Sequence, residues 1–121
     1  APMHCTGVGK LLLLNYSNAE LDRYVAIKGL PKLTQNTITT LPALKEELET
    51  IRKQGYAFDN EECEIGARCI AVPIRDYTGK IVAAMSIMGP VVRMDDNKIF
   101  QNLPYLLDAS VQLSKALGYG N

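Results

Sequence analysis

Neither sign of charge dominates this 121-residue sequence, in which thirteen lysines and arginines balance thirteen aspartates and glutamates. The electrostatic surplus that drives binding to phosphate backbones or anionic membranes is missing, so the chain by itself is not expected to grip DNA. Membrane-length apolar runs are missing too. Leu11–Leu14 falls far short of the roughly 20 residues that span a bilayer, and no basic-then-apolar leader precedes it. A soluble, unsecreted protein without a membrane partner is expected. Cysteine is sparse and odd in number, at Cys5, Cys63 and Cys69. That excludes a densely stapled secreted scaffold and fits a reducing, cytoplasmic compartment.

The common catalytic signatures are also lacking. There is no Gly-x-Ser-x-Gly elbow and no His-Glu-x-x-His, and the only histidine, His4, sits beside the start of the chain. A hydrolase or protease reading therefore ranks low. His4, Cys5, Cys63 and Cys69 carry the atoms of a zinc or thiol site, but no Cys-x-x-Cys pair occurs, so neither metal nor cofactor is expected.

What is present is an ordinary globular composition, 47% hydrophobic and 21% charged, long enough for one domain over residues 1–121. The opening Ala1-Pro2-Met3-His4 has no initiator methionine or capping signal, so an N-terminally truncated domain of a longer protein is expected. Thr6 predicts a cap for a helix over Gly7–Asn15. Ser17-Asn18-Ala19-Glu20 has capping-box spacing for a second helix ending at Gly29, and Pro42 opens a third that runs to Gln54. Tyr56–Asp59 reads as a short strand, and Asn60–Gly66 as an acidic loop. Arg68–Arg75 and Lys80–Met88, separated by Asp76-Tyr77-Thr78-Gly79, read as an antiparallel hairpin. Asp95 and Asp96 open a last amphipathic helix in which Pro104 is expected to make a kink or a restart. Three helices, a strand, a hairpin and a helix do not alternate as β-α-β units, so an α+β domain with an antiparallel sheet is expected.

Three local features carry candidate chemistry. The amides of Gly7-Val8-Gly9 at a helix start suit a carboxylate or phosphate, although Gly7-x-Gly9-Lys10 lacks full P-loop spacing and small residues there also serve packing. Asp59, at a strand end, suits a polar ligand's donor, against the alternative of a solvated acidic loop. Ser86 faces away from Met85 and Ile87 and is expected to be a buried hydroxyl in need of a partner.

Taken together, Pro2-Met3-His4-Cys5-Thr6-Gly7-Val8-Gly9-Lys10, Gly55 to Glu62, Gly66 to Ile74 and Ala83-Ala84-Met85-Ser86-Ile87-Met88-Gly89-Pro90 resemble the effector-binding domain of IclR-family bacterial transcriptional regulators. Thr37-Ile38-Thr39 and the last helix fit the same order, and the likeness covers essentially the whole chain. The resemblance implies a GAF-like α/β domain, with a curved antiparallel sheet flanked by helices. It also implies a preceding winged helix-turn-helix domain, through which operator DNA is bound.

Carried over by motif, the effector pocket would use backbone at Gly7 and Val8, the Asp59 carboxylate, Cys69 and Ser86, with Ala67 in the wall. Met88 stands where the family often has a second serine, which removes a hydroxyl and adds apolar bulk. Amides and Ser86 suit an effector carboxylate, whereas anionic Asp59 must face a hydroxyl or hydrate donor. A small hydroxy- or keto-acid is the expected ligand, and a homodimer or homotetramer whose DNA-domain spacing it shifts is the expected assembly. No catalysis is expected. Two alternatives stay open: a sulfoxide-reductase-type thiol enzyme using Cys63 and Cys69, and a pure oligomerisation module.

Overall fold

Helix α1 (Gly7–Leu13) starts where its cap predicts, with the Thr6 hydroxyl accepting the Gly9 amide at 3.0 Å. The computed structural model describes residues 2–120, so Ala1 of the opening segment and Asn121 lie outside it. α1 ends at Leu13 rather than at the expected Asn15. The Asn15 side chain is engaged elsewhere, donating to the Ile81 carbonyl at 2.8 Å and accepting the Ile81 amide at 3.0 Å. Helix α2 (Asn18–Lys28) carries a complete capping box between Ser17 and Glu20. Helix α3 (Leu41–Gln54) opens with Pro42 in its first turn and closes on Gly55 at φ 86°, a left-handed position that glycine adopts without strain.

Strands β1 (Ala57–Asn60), β2 (Ala67–Arg75) and β3 (Ile81–Pro90) form an antiparallel sheet in the order β1-β2-β3. Pro73, in the central strand, is tolerated because it lies beyond the last β1–β2 pair, Ala57 opposite Ala71. Helix α4 takes over at that point. Ser110 donates to the Pro73 carbonyl, and the Arg75 amide donates to the Ser114 hydroxyl at 2.9 Å.

α4 spans Asp96–Ala116 with Pro104 inside it, so of the two outcomes expected at this proline the restart is corrected. Proline removes one helical hydrogen bond, but Ile99 and Leu103 before it and Leu106 after it are all buried in one cluster and hold both halves to the sheet.

Strand alternation separates two cores. Ala57 and Ala71 pack with Leu11, Leu13, Leu21, Leu44, Leu48 and Ile51 of α1–α3, while Ile70 and Val72 pack with Met94 and α4 on the other face. The result is the expected mixed α/β architecture, an antiparallel sheet between helices.

Candidate functional site

The residues singled out from sequence meet on one face of the sheet. The register places Asp59, Cys69 and Met88 in one row across the three strands, with Ala57, Ala71 and Ser86 in the next row on the same face. Ala67, two residues before Cys69, shares that face by alternation. Gly7 stands over both rows. A Cβ on it would lie 3.0 Å from the Ala71 Cβ and 3.3 Å from the Cys69 sulfur, so the start of α1 approaches the sheet as closely as a missing side chain allows. Val8, one residue on, is exposed.

Exposure divides this set. Gly7, Asp59 and Cys69 are buried, whereas Ser86 and Met88 are exposed. Ser86 is thus not the buried hydroxyl expected from alternation, and it lies on the edge strand of the sheet among the described residues. Its hydroxyl and the Gly7 amide lie beside the Cys69 thiol, and burial, reinforced by the Asp59 charge, holds that thiol's pKa above its ordinary value.

Asp59 is fixed by its own loop. Its carboxylate accepts the Glu62 amide at 2.9 Å and also the Cys63 amide. Burial nonetheless pushes its pKa up, with the Glu62 amide and the Lys10 charge pulling the other way. The loop is not merely a solvated run of acids. Thr34 and Thr37 hydroxyls donate to the Glu61 and Glu62 carbonyls, each at 2.6 Å, and the Glu62 side chain is itself buried.

Sequence reasoning missed the group behind that loop. Lys10 is completely buried, and its Nζ donates to Glu47 Oε2 and to the Phe58 carbonyl at 2.9 Å each and lies 2.6 Å from Glu62 Oε1. It thereby ties α1, α3, the end of β1 and the 61–66 loop together. A signal was available: Gly7, Lys10, Leu11 and Leu14 recur at helical spacing, so Lys10 falls on the apolar stripe of α1. Burial also raises the Glu62 carboxyl above its ordinary pKa, and Lys10 opposes that rise.

The candidate zinc set separates on inspection. The His4 ring turns away to donate to the Pro31 carbonyl at 2.9 Å, and among the described residues no three His, Cys, Asp or Glu side chains are arranged to hold a metal ion. The thiol beside Cys63 is that of Cys5 rather than Cys69.

The description "Bacterial transcriptional regulator IclR C-terminal" belongs to a family model that matches residues 1–115. The chain belongs to the IclR family. Over 117 residues it is 39% identical to the HTH-type transcriptional repressor AllR of Salmonella paratyphi A, covering 97% of this chain but 43% of that protein. The chain thus spans less than half the length of this relative. Among solved structures, the C-terminal domain of the E. coli regulator KdgR superposes with a TM-score of 0.87 at 36% identity, over 98% of this chain and 72% of that one. A double mutant of the Acinetobacter PobR inducer-binding domain, in complex with 3-hydroxybenzoic acid, gives 0.88 at 31% identity, over 94% and 66%. This IclR-family domain therefore shares its fold with an inducer-binding domain of which a double mutant holds a small hydroxy acid.

Proposed function

We propose that this domain senses a small hydroxy- or keto-acid and transmits its presence to operator DNA. The observation that carries the reading is the convergence of Gly7, Val8, Asp59, Ala67, Cys69, Ser86 and Met88 around the start of α1 on one sheet face. Amides at that start and the Ser86 hydroxyl suit the effector carboxylate. Asp59 suits a hydroxyl or hydrate donor on the same molecule, and Met88 supplies an apolar wall. The hydroxy acid bound to the PobR domain supports this ligand class.

In this reading residues 1–121 form one effector domain of a cytoplasmic regulator. A winged helix-turn-helix domain before it contacts the operator, and a homodimer or homotetramer changes arrangement when the effector binds one state more tightly. No catalysis is involved. Relatives of this chain are transcriptional regulators, which favours the sensor over the sulfoxide-reductase alternative.

The test is thermal unfolding of the full-length protein against a panel of hydroxy-, keto-, sugar and aromatic acids, with Ser86→Ala and Asp59→Ala beside it. An effector at 100 times its Kd stabilises by about 2.7 kcal/mol, a midpoint shift of several degrees that both substitutions should reduce. A well-folded protein that responds to no acid in the panel, or variants that respond as the unaltered protein does, would overturn the assignment.

A further inference from the structure

The resemblance gives the cysteines no role beyond that of Cys69 in the effector pocket, yet the fold brings two of them together from distant parts of the chain. Cys5 immediately precedes the cap of α1, and Cys63 lies in the middle of the β1–β2 loop; the two thiols are hydrogen-bond neighbours. Both backbones are pinned. Before α1, the Thr6 hydroxyl donates to the Pro2 carbonyl at 3.2 Å and the Cys5 sulfur reaches the same carbonyl at 3.9 Å. In the loop, Asp59 holds the Glu62 and Cys63 amides while Thr34 and Thr37 hold the Glu61 and Glu62 carbonyls.

Accessibility differs in a useful way, since Cys5 is completely buried and Cys63 is partly exposed. An oxidant from solvent meets Cys63 first, and the sheltered Cys5 waits behind it. That is the arrangement of an attacked thiol with a resolving thiol.

We propose that Cys5 and Cys63 form a reversible oxidation site, closing to a disulfide in the presence of a hydroperoxide. The Cys63 thiolate attacks the O–O bond, forming an S–O bond and releasing alkoxide, or hydroxide when the oxidant is hydrogen peroxide. The Cys5 thiolate then attacks the Cys63 sulfur, forming the S–S bond and expelling hydroxide. The two sulfurs together lose two electrons, the peroxide gains two, and both thiol protons end on the departing oxygens as alcohol and water, or as two waters. Burial and the neighbouring Cys63 push the Cys5 thiol up to about 12. The share due to Cys63 lapses once that thiol is oxidised, so resolution becomes easier after the first step. The disulfide would tether the segment before α1 to the loop that carries the Asp59 hydrogen bonds. The bond itself does not depend on the effector assignment.

Tryptic mapping decides the matter, because cleavage puts Cys5 in the peptide that ends at Lys10, Cys63 in 54–68 and Cys69 in 69–75. Full-length protein treated with hydrogen peroxide should yield the peptide ending at Lys10 joined to 54–68, two hydrogen masses lighter than the sum and separable with dithiothreitol. The same product should form in Cys69→Ser and be lost in Cys63→Ser. A join of 54–68 to 69–75, irreversible sulfinic or sulfonic acid on Cys63 with the Cys5 peptide unlinked, or recovery of both thiols intact would each overturn the proposal. The unsubstituted protein gives the answer even if a variant fails to fold.

Discussion

Replacing Lys10 with methionine keeps an unbranched apolar stem, one atom shorter, but removes the positive charge behind the 61–66 loop. In the native arrangement its Nζ serves Glu47, Glu62 and the Phe58 carbonyl from a position with no solvent exposure. Glu47 is 28% exposed and can turn to water, but Glu62, at 9%, cannot. Deleting one partner of a buried ion pair costs about 3–5 kcal/mol, because the remaining charge is left without compensation. For a domain of this size, that is a fall of about 10–20 °C in unfolding midpoint. Without Lys10 the Glu62 pKa, already raised by burial, rises further. Protonation then removes the stranded charge, so the deficit of Lys10→Met is largest at pH 7 and shrinks towards pH 5. Adding Glu62→Gln should return part of the loss at pH 7, with a coupling of about 1–3 kcal/mol between the two sites. Urea or thermal unfolding followed by circular dichroism at both pH values gives the four-way comparison. A loss below about 1 kcal/mol, typical of exposed pairs, together with no pH dependence and no recovery in the double variant, would refute the reasoning.

Two further outcomes follow from the same geometry. Burial raises the folded-state pKa of both Asp59 and Glu62. The stability they contribute is therefore full below their unfolded values, near pH 4, and is lost as pH rises through the raised folded ones. Whatever offset the lost Lys10 pairing brings, the midpoint of Asp59→Asn/Glu62→Gln should move upward relative to that of the unaltered protein as pH rises from about 4 to 7, and a constant difference between the two profiles would contradict this. Gly9→Ala places a Cβ against the Met3 Cα, 2.6 Å from the Met3 carbonyl oxygen and 2.5 Å from the Thr6 hydroxyl that caps α1, so backbone must yield and the cap is crowded. A loss of about 2 kcal/mol or more is expected by chemical denaturation, whereas Val8→Ala, at an exposed position, should stay within about 0.5 kcal/mol.

Local chemistry made most of the elements legible. Thr6 and Ser17 with Glu20 cap the helices they were expected to cap, and Asp95, expected as negative charge at a helix start, caps the last, because a side-chain acceptor three residues before a free amide acts within a single turn. The hairpin and its register follow from alternation, which also placed Ser86 opposite Met85 and Ile87. The resemblance carried by the segments around Gly7, Asp59, Cys69 and Ser86 was enough to name the family, since those segments hold their spacing throughout the chain. Other matters turn on contacts between residues far apart in sequence, and no local pattern encodes them. Asn15 left its helix for the Ile81 backbone, and Pro104 stayed inside α4 because the sheet holds both halves. Ser86 lies open to solvent although alternation puts it on the face that α1 approaches, because α1 covers that face only in part. The charge of Lys10 suggested surface, yet three partners from α3, β1 and the following loop compensate it inside. Sequence decided the caps, the alternation and the family, which rest on neighbours within a few bonds. Tertiary structure alone decided which charges are buried and which thiols meet, because desolvation and pairing depend on what the rest of the chain brings to the same place.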